Sequence, residues 1–152
     1  MQVQLDYNIE AYTIRSYDPG LIKISLPLSE SLANTPAAGE DLLEERQLEI
    51  RLVTSACCVF PSRLIENWAV SGPAELTIAD FSPIVALEPE IIVLGTGDHQ
   101  IFPDSRVISQ LNRQRIGVEV MNTPAACRTY NFLMSDGRKV AAALFMLDNK
   151  PA

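Results

Sequence analysis

The sequence predicts an α/β fold: a β-sheet with helices packed on it, in a single domain spanning 1–152. Three observations carry this. "EIIVL" (90–94) is a short, wholly apolar run between Pro89 and Gly95, as suits a strand covered on both faces. "KVAAALFML" (139–147) has the same character. Between them lie a helix pattern after Asp104, a strand pattern at "IGVEV" (116–120) and a helix pattern after Thr123. That alternation of strand and helix describes a sheet with helices on it.

The elements follow in order. "IEAYTIRSY" (9–17) and "GLIKISL" (20–26) are strand-like, and Asp18-Pro19-Gly20 between them predicts a hairpin. Residues 27–47 hold two prolines, one glycine and the acids Glu30, Glu40, Asp41, Glu44 and Glu45. They read as a surface loop with a short helix at 40–46. "LEIRLVTSACCVF" (48–60) returns to strand, placing Cys57 and Cys58 on opposite faces. Pro61 ends it, and "NWAV" (67–70) reads as one more short strand. Thr77 through Asp80 is a capping box opening a helix that runs to about Leu87. Pro83 either kinks that helix or marks its true start after Ser82.

Asp104 caps a helix over 105–114, with Val107, Ile108 and Leu111 on one stripe and Arg113 and Arg115 at its negative end. The helix between 90–94 and 116–120 predicts that these strands run parallel, joined by a right-handed crossover. Thr123 reads as the N-cap and Pro124 as the first residue of the next helix. That helix ends near Ser135, with Gly137 just beyond.

Composition narrows the function. With 152 residues and 47% hydrophobic content, the chain can bury a real core and is not a disordered segment. Twelve basic against nineteen acidic residues give a net charge of −7. That balance argues against nucleic acid, which is held by clustered Lys and Arg, and against an anionic membrane surface. No apolar run approaches the roughly 20 residues of a membrane span. "MQVQLDYNIE" has the character of neither a secretory signal nor a transit peptide. Cys57, Cys58 and Cys127 show no metal-ligand spacing. Their odd number fits a reducing, cytoplasmic setting.

Ligands of open α/β sheets bind beyond the carboxyl ends of parallel strands. Two segments are expected there. One is the loop Gly95-Thr96-Gly97-Asp98-His99-Gln100; the other is Asn122-Thr123 with the helix start that follows. Arg128 lies about a turn further into that helix, and Asn131 shares its face. Gly95, Thr96, Gly97, His99, Gln100, Thr123, Arg128 and Asn131 together form the candidate ligand or partner site, able to hold a carboxylate or phosphate. The competing reading makes Arg128 and Asn131 structural anchors. They would bond loop carbonyls or pair with Glu119, which sits in a strand expected to be covered.

Other signals are weaker. The loop is neither GxGxxG nor a P-loop. His99 is the single histidine and reads as solvated, so no metal site or catalytic pair is assigned and no cofactor is called for. Cys127 reads as buried and inert, and Cys57 and Cys58 read as core. Trp68 and Tyr130 are candidate exposed anchors for a partner.

"PEIIVLGTGDHQIFP" followed by "IGVEVMNTPAACRTYNFLMSDGRKVAAALF" resembles a known family. These are the bacterial domain-of-unknown-function proteins related to the mitochondrial respiratory complex I assembly factor 3. "IRSYDPGLIKI" and "SACCVFPSRLIENW" fit the same pattern. The resemblance implies a three-layer fold, with a central mixed sheet, helices on its faces and an additional small β element. It makes residues 27–47 an insertion. It implies a non-catalytic assembly role beside a protein partner, with no assigned catalytic residue. The family's most recognisable residues map onto Gly95, Thr96, Gly97, Glu119, Thr123, Arg128, Thr129, Asn131, Gly137 and Arg138. The first expectation is thus a non-catalytic protein-binding or assembly module. The second is a small-anion-binding protein, or an enzyme not yet recognised, using the GTG loop and the helix start. A homo-oligomer is a third.

Overall fold

The hairpin predicted at the N-terminal side forms, and its turn glycine, Gly20, takes φ +71°. The computed structural model describes residues 9–34 and 48–148. β1 (Thr13–Asp18) and β2 (Leu21–Ser25) pair antiparallel, with a bulge between Ile14 and Ser16. β3 (Ile50–Val53) adds to β2 and completes a three-stranded antiparallel sheet in the order β1-β2-β3.

The large sheet has five strands. β4 (Cys57–Phe60), β5 (Arg63–Ile65), β6 (Ile91–Thr96), β7 (Gly117–Met121) and β8 (Val140–Phe145) stand in the order β5-β4-β8-β6-β7. β6 runs parallel to both β7 and β8, while β4 runs antiparallel to β8 and β5. The sheet is therefore mixed, and the parallel pairing expected of 90–94 with 116–120 is present.

Two cores flank this sheet. On one face, Cys57, Val59, Val93, Ala142 and Leu144 meet α4 (Thr123–Ser135). The same core takes in Ile14, Ile22, Ile24 and Val53 of the small sheet. On the other face, Cys58, Ile92, Leu94, Ala141 and Ala143 meet Val107 and Leu111 of α3 (Ser105–Arg113). There they also meet Trp68, Phe81 and Ile84. Phe81 ends a 3₁₀ turn (Ile78–Phe81), and Ile84 belongs to α2 (Ser82–Val85). The fold is α/β, with a central mixed sheet, helices on both faces and a small sheet beyond α4.

Several expectations change. The run 48–60 is two strands in two sheets, because the chain crosses between them at Thr54-Ser55-Ala56. "NWAV" forms no strand; Trp68 donates its backbone N–H to Ala56, and its indole turns inward. Trp68 is not an exposed anchor. Its Nε1 donates to the Asp80 carbonyl at 2.8 Å, and its ring packs against Phe81 and Phe145. Within 27–47 the structure places α1 (Leu28–Asn34), whereas the helix expected at 40–46 lies outside the described residues. The Thr77–Asp80 capping box forms, but it opens the 3₁₀ turn, and Pro83 sits in the first turn of α2.

Asp104 caps α3, as its position predicts. The Arg106 guanidinium and then the Arg106 backbone N–H hold its carboxyl down at about 2. A depressed carboxyl stabilises the fold above the unfolded pKa and loses that contribution as pH falls through the folded one. Acid titration of the melting point should therefore show an Asp104-dependent fall between about pH 4 and 2. Asp104→Asn should flatten that part of the profile; an unchanged profile refutes the assignment.

Cys57 and Cys58 do point to opposite faces, and Cys127 joins Cys57 on the α4 side. All three are buried and free. Burial pushes the Cys57 thiol up to about 12 and raises Cys58 and Cys127 as well. Thiolate is the reactive form, so iodoacetamide at pH 8 should leave all three unmodified until denaturant is added. Labelling of the native protein, counted by mass, would contradict this.

Candidate functional site

β6 and β7 end side by side, so the loop after Thr96 and the start of α4 after Met121 meet at one edge of the sheet. Thr123 ties this corner together. Its Oγ1 accepts the Gly97 N–H at 2.8 Å and donates to the Phe145 carbonyl at 2.7 Å. Its backbone N–H donates to the Gly97 carbonyl at 2.8 Å. One fully buried residue thus joins the ends of β6 and β8 to the start of α4. Gly97 can answer both bonds because it adopts φ +90°, a region that favours glycine.

Thr96 closes the loop in the same manner. Its Oγ1 lies 2.5 Å from the His99 carbonyl, to which it donates, and 3.2 Å from the Met121 carbonyl. It accepts the Ile101 N–H at 2.9 Å. Gln100 Nε2 donates to the Val120 carbonyl at 2.9 Å, and Asp98 accepts the Asp148 N–H at 2.9 Å. The His99 side chain is exposed.

What approaches the glycine at the end of β6 is the helix itself. A Cβ built on Gly95 would lie 2.9 Å from Ala126 Cβ, 3.0 Å from Leu144 Cδ2 and 3.0 Å from Thr123 Cα. Gly95 and Ala126 are the small residues that let α4 lie close on the sheet.

The helix starts one residue earlier than expected. Asn122 is the N-cap, its Oδ1 accepting the Ala125 N–H at 2.9 Å; Thr123 and Pro124 are the first two helical residues. The donors of this turn are all engaged. Thr123 bonds Gly97, Pro124 has no N–H, Ala125 bonds the cap side chain and Ala126 bonds the Asn122 carbonyl. An anion site at a helix start depends on free N–H groups, and these are not free.

Arg128 and Asn131 belong to a different constellation. Arg128 is exposed, and its Nη1 donates to Tyr17 Oη at 2.9 Å. Its partner is on β1, neither in the loop nor at Glu119. Glu119 is exposed on the edge strand β7, so no buried partner is required. Asn131 is buried, and its side-chain amide acts as a length of strand. Oδ1 accepts the Ile14 N–H at 3.0 Å, and Nδ2 donates to the Ile14 carbonyl at 2.8 Å. Tyr130, which composition offered as an exposed anchor, is fully buried and donates its hydroxyl to the Tyr12 carbonyl at 2.7 Å. Asn131 and Tyr130 therefore hold the backbone of β1 and of Tyr12 before it, and Arg128 reaches the Tyr17 hydroxyl.

The candidate set divides accordingly. Gly95, Thr96, Gly97, Thr123 and Asn131 are buried and engaged within the fold; His99, Gln100 and Arg128 face outward. Ile14 and Tyr17 of β1, and Tyr12 just before it, have no local signal, since their helix partners lie more than a hundred residues away in sequence. Among the described residues, no buried side-chain nitrogen or oxygen lacks a partner. Nor do three His, Cys, Asp or Glu among them come together to suit a metal ion.

The comparisons agree with this architecture. The human NADH dehydrogenase (ubiquinone) 1 alpha subcomplex assembly factor 3 is 39% identical over 94 residues, covering 60% of this chain and 50% of that protein. The chain thus spans about half the length of such relatives. A 13 kDa major membrane protein of Francisella tularensis is 38% identical over 61 residues, 40% of this chain and 50% of that protein. Among solved structures, a Xanthomonas campestris protein superposes with a TM-score of 0.68 at 28% identity, covering 97% of this chain and 91% of its own. A Bordetella pertussis protein described as an Mth938-like domain gives 0.66 at 23% identity, covering 97% and 94%. The sequence profile of the proteins of unknown function DUF498/DUF598 matches residues 42–145, and the chain belongs to that family.

Proposed function

We propose that the chain is a non-catalytic protein-binding module that acts as an assembly factor does. The observation that supports this best is how the buried polar residues of the candidate site are used. Thr96, Thr123 and Asn131 hold loop, helix and β1 together with every polar atom partnered. A scaffold with its polar groups turned inward works through its surface. Relatives named as assembly factors at 35–39% identity support the same reading. In it, His99, Gln100 and Arg128 face the partner. No helix among the described residues is long and apolar enough to cross a membrane, and a cytoplasmic setting belongs to the same proposal.

The test is deletion of the chain in its host, followed by native-gel separation of the respiratory NADH dehydrogenase. Partly assembled complex should accumulate and should disappear when the chain is restored. His99→Ala/Gln100→Ala/Arg128→Ala should stay folded by circular dichroism yet restore less. Complete assembly in the deletion strain, with no protein cross-linked to the tagged chain, would end this reading.

A further inference from the structure

We infer that the outer edge of β7 docks an extended segment of another protein, basic opposite Glu119 and apolar toward Ile101 and Phe102. This rests on the protein-binding reading above and names the surface and the kind of partner.

The strand order leaves β7 at one end of the large sheet. Its register with β6, and the Gly117 N–H donated to the Glu90 carbonyl at 3.0 Å, direct the polar groups of Gly117 and Glu119 toward β6. Those of Val118 and Val120 therefore point outward. One of these outward groups is covered: Gln100, an exposed side chain, caps the Val120 carbonyl at 2.9 Å. A row of outward N–H and C=O groups selects its own occupant, because only an extended backbone completes such a ladder.

Two side-chain features narrow the occupant. Ile101 and Phe102 are 40% and 61% exposed. Their loop is held at the C-terminal end of β7 by the Gln100–Val120, Thr96–Met121 and Ile101–Thr96 bonds. An apolar pair fixed in this way is pre-organised for contact. In the middle of the strand, Glu119 is exposed and makes no ion pair among the described residues. A Lys or Arg opposite it would be favourable, as would a basic segment approaching a chain of net charge −7.

A second copy of this chain fits poorly. Pairing the outward residues Val118 and Val120 with their symmetry mates sets Glu119 directly against Glu119, and like charges opposed across a ladder repel. The alternative register centred on Val118 is short, since the Ile116 N–H is already donated to Leu111.

The probe is a phage-displayed library of random nine-residue peptides, selected on the whole chain. Enriched peptides should alternate apolar residues and carry Lys or Arg. Binding of a selected peptide, followed by fluorescence anisotropy, should weaken at least ten-fold in Phe102→Ser and in Val118→Pro. The proline removes an outward N–H and no internal one. Glu119→Lys, a surface change that leaves the core intact, should lose the basic peptides and select acidic ones instead.

Failure to enrich any peptide overturns the inference. So do peptides bound equally by Glu119→Lys and Phe102→Ser. A dimer in sedimentation that Glu119→Gln tightens would assign the edge to a second copy instead. A protein still cross-linked to the Glu119→Lys and Val118→Pro variants would leave the protein-binding reading standing and remove this edge from it.

Discussion

Asn131→Leu should loosen the small sheet from the rest of the fold. Leucine fills a similar volume but returns nothing to Ile14, whose N–H and carbonyl both face the Asn131 amide. Ile14 has no exposed surface, so water cannot replace those bonds. An unsatisfied buried group costs about 1–3 kcal/mol, so the loss for two is roughly 2–6 kcal/mol. That is a large part of the roughly 5–15 kcal/mol that holds an ordinary domain together. Asn131→Asp should fare little better, because it keeps the acceptor but sets a carboxylate against the Ile14 carbonyl. Hydrogen exchange at Ile14 should rise before exchange at Val93 or Ala142 in the large sheet. Arg128→Ala is the control: that side chain is exposed and gives β1 a single bond to a hydroxyl, so the melting point should move little. An Asn131→Leu protein with wild-type melting and a protected Ile14 amide would refute the anchoring role.

Gly95→Val should be worse still, and for a different reason. The Cβ alone meets Ala126, Leu144 and the Thr123 backbone at 2.9–3.0 Å, closer than carbon atoms tolerate. Overpacking of this kind costs about 1–3 kcal/mol, and more where the obstacle is backbone. Alanine at this position should lie in that range, and valine, with two further methyls, should yield little folded protein. The clash can be located by a double change. Ala126→Gly removes one of the three contacts at about 1 kcal/mol of helix propensity. Gly95→Ala/Ala126→Gly should therefore be less destabilised than the sum of the two single changes. Strict additivity in denaturant melts would mean that Ala126 is not the obstacle.

Much of the large sheet was legible because its signals are local. β6 and β8 announce themselves as unbroken apolar runs, and α3 by its Asp104 cap. The strand over 48–60 was half right. Thr54-Ser55-Ala56 contains no glycine or proline, and a period-two pattern does not say which sheet a strand joins. The α4 start slipped by a residue because Asn122 and Thr123 both suit an N-cap, and only the bond to Ala125 decides between them.

The site was less legible. The corner residues Gly95, Thr96, Gly97 and Thr123 lie together, but the Thr123 bonds run to Gly97 and to Phe145 of β8. Arg128 and Asn131 share α4, as their spacing predicts, but their partners are Tyr17 and Ile14 rather than the loop or Glu119. The apolar flanks of Glu119 suggest a covered strand, whereas β7 is an edge strand and Glu119 is exposed.

The clamp on β1 also has a consequence for synthesis. Ile14 leaves the ribosome 117 residues before its partner Asn131. Until then the Ile14 N–H and carbonyl on β1 and the Tyr12 carbonyl just before it stay open. Contacts so distant in sequence form late, after the chain between them has been ordered. β1 is thus made before its anchor and is among the last strands to be satisfied. A nascent chain stalled before α4 should expose that edge to chaperones, and release of the helix should hide it.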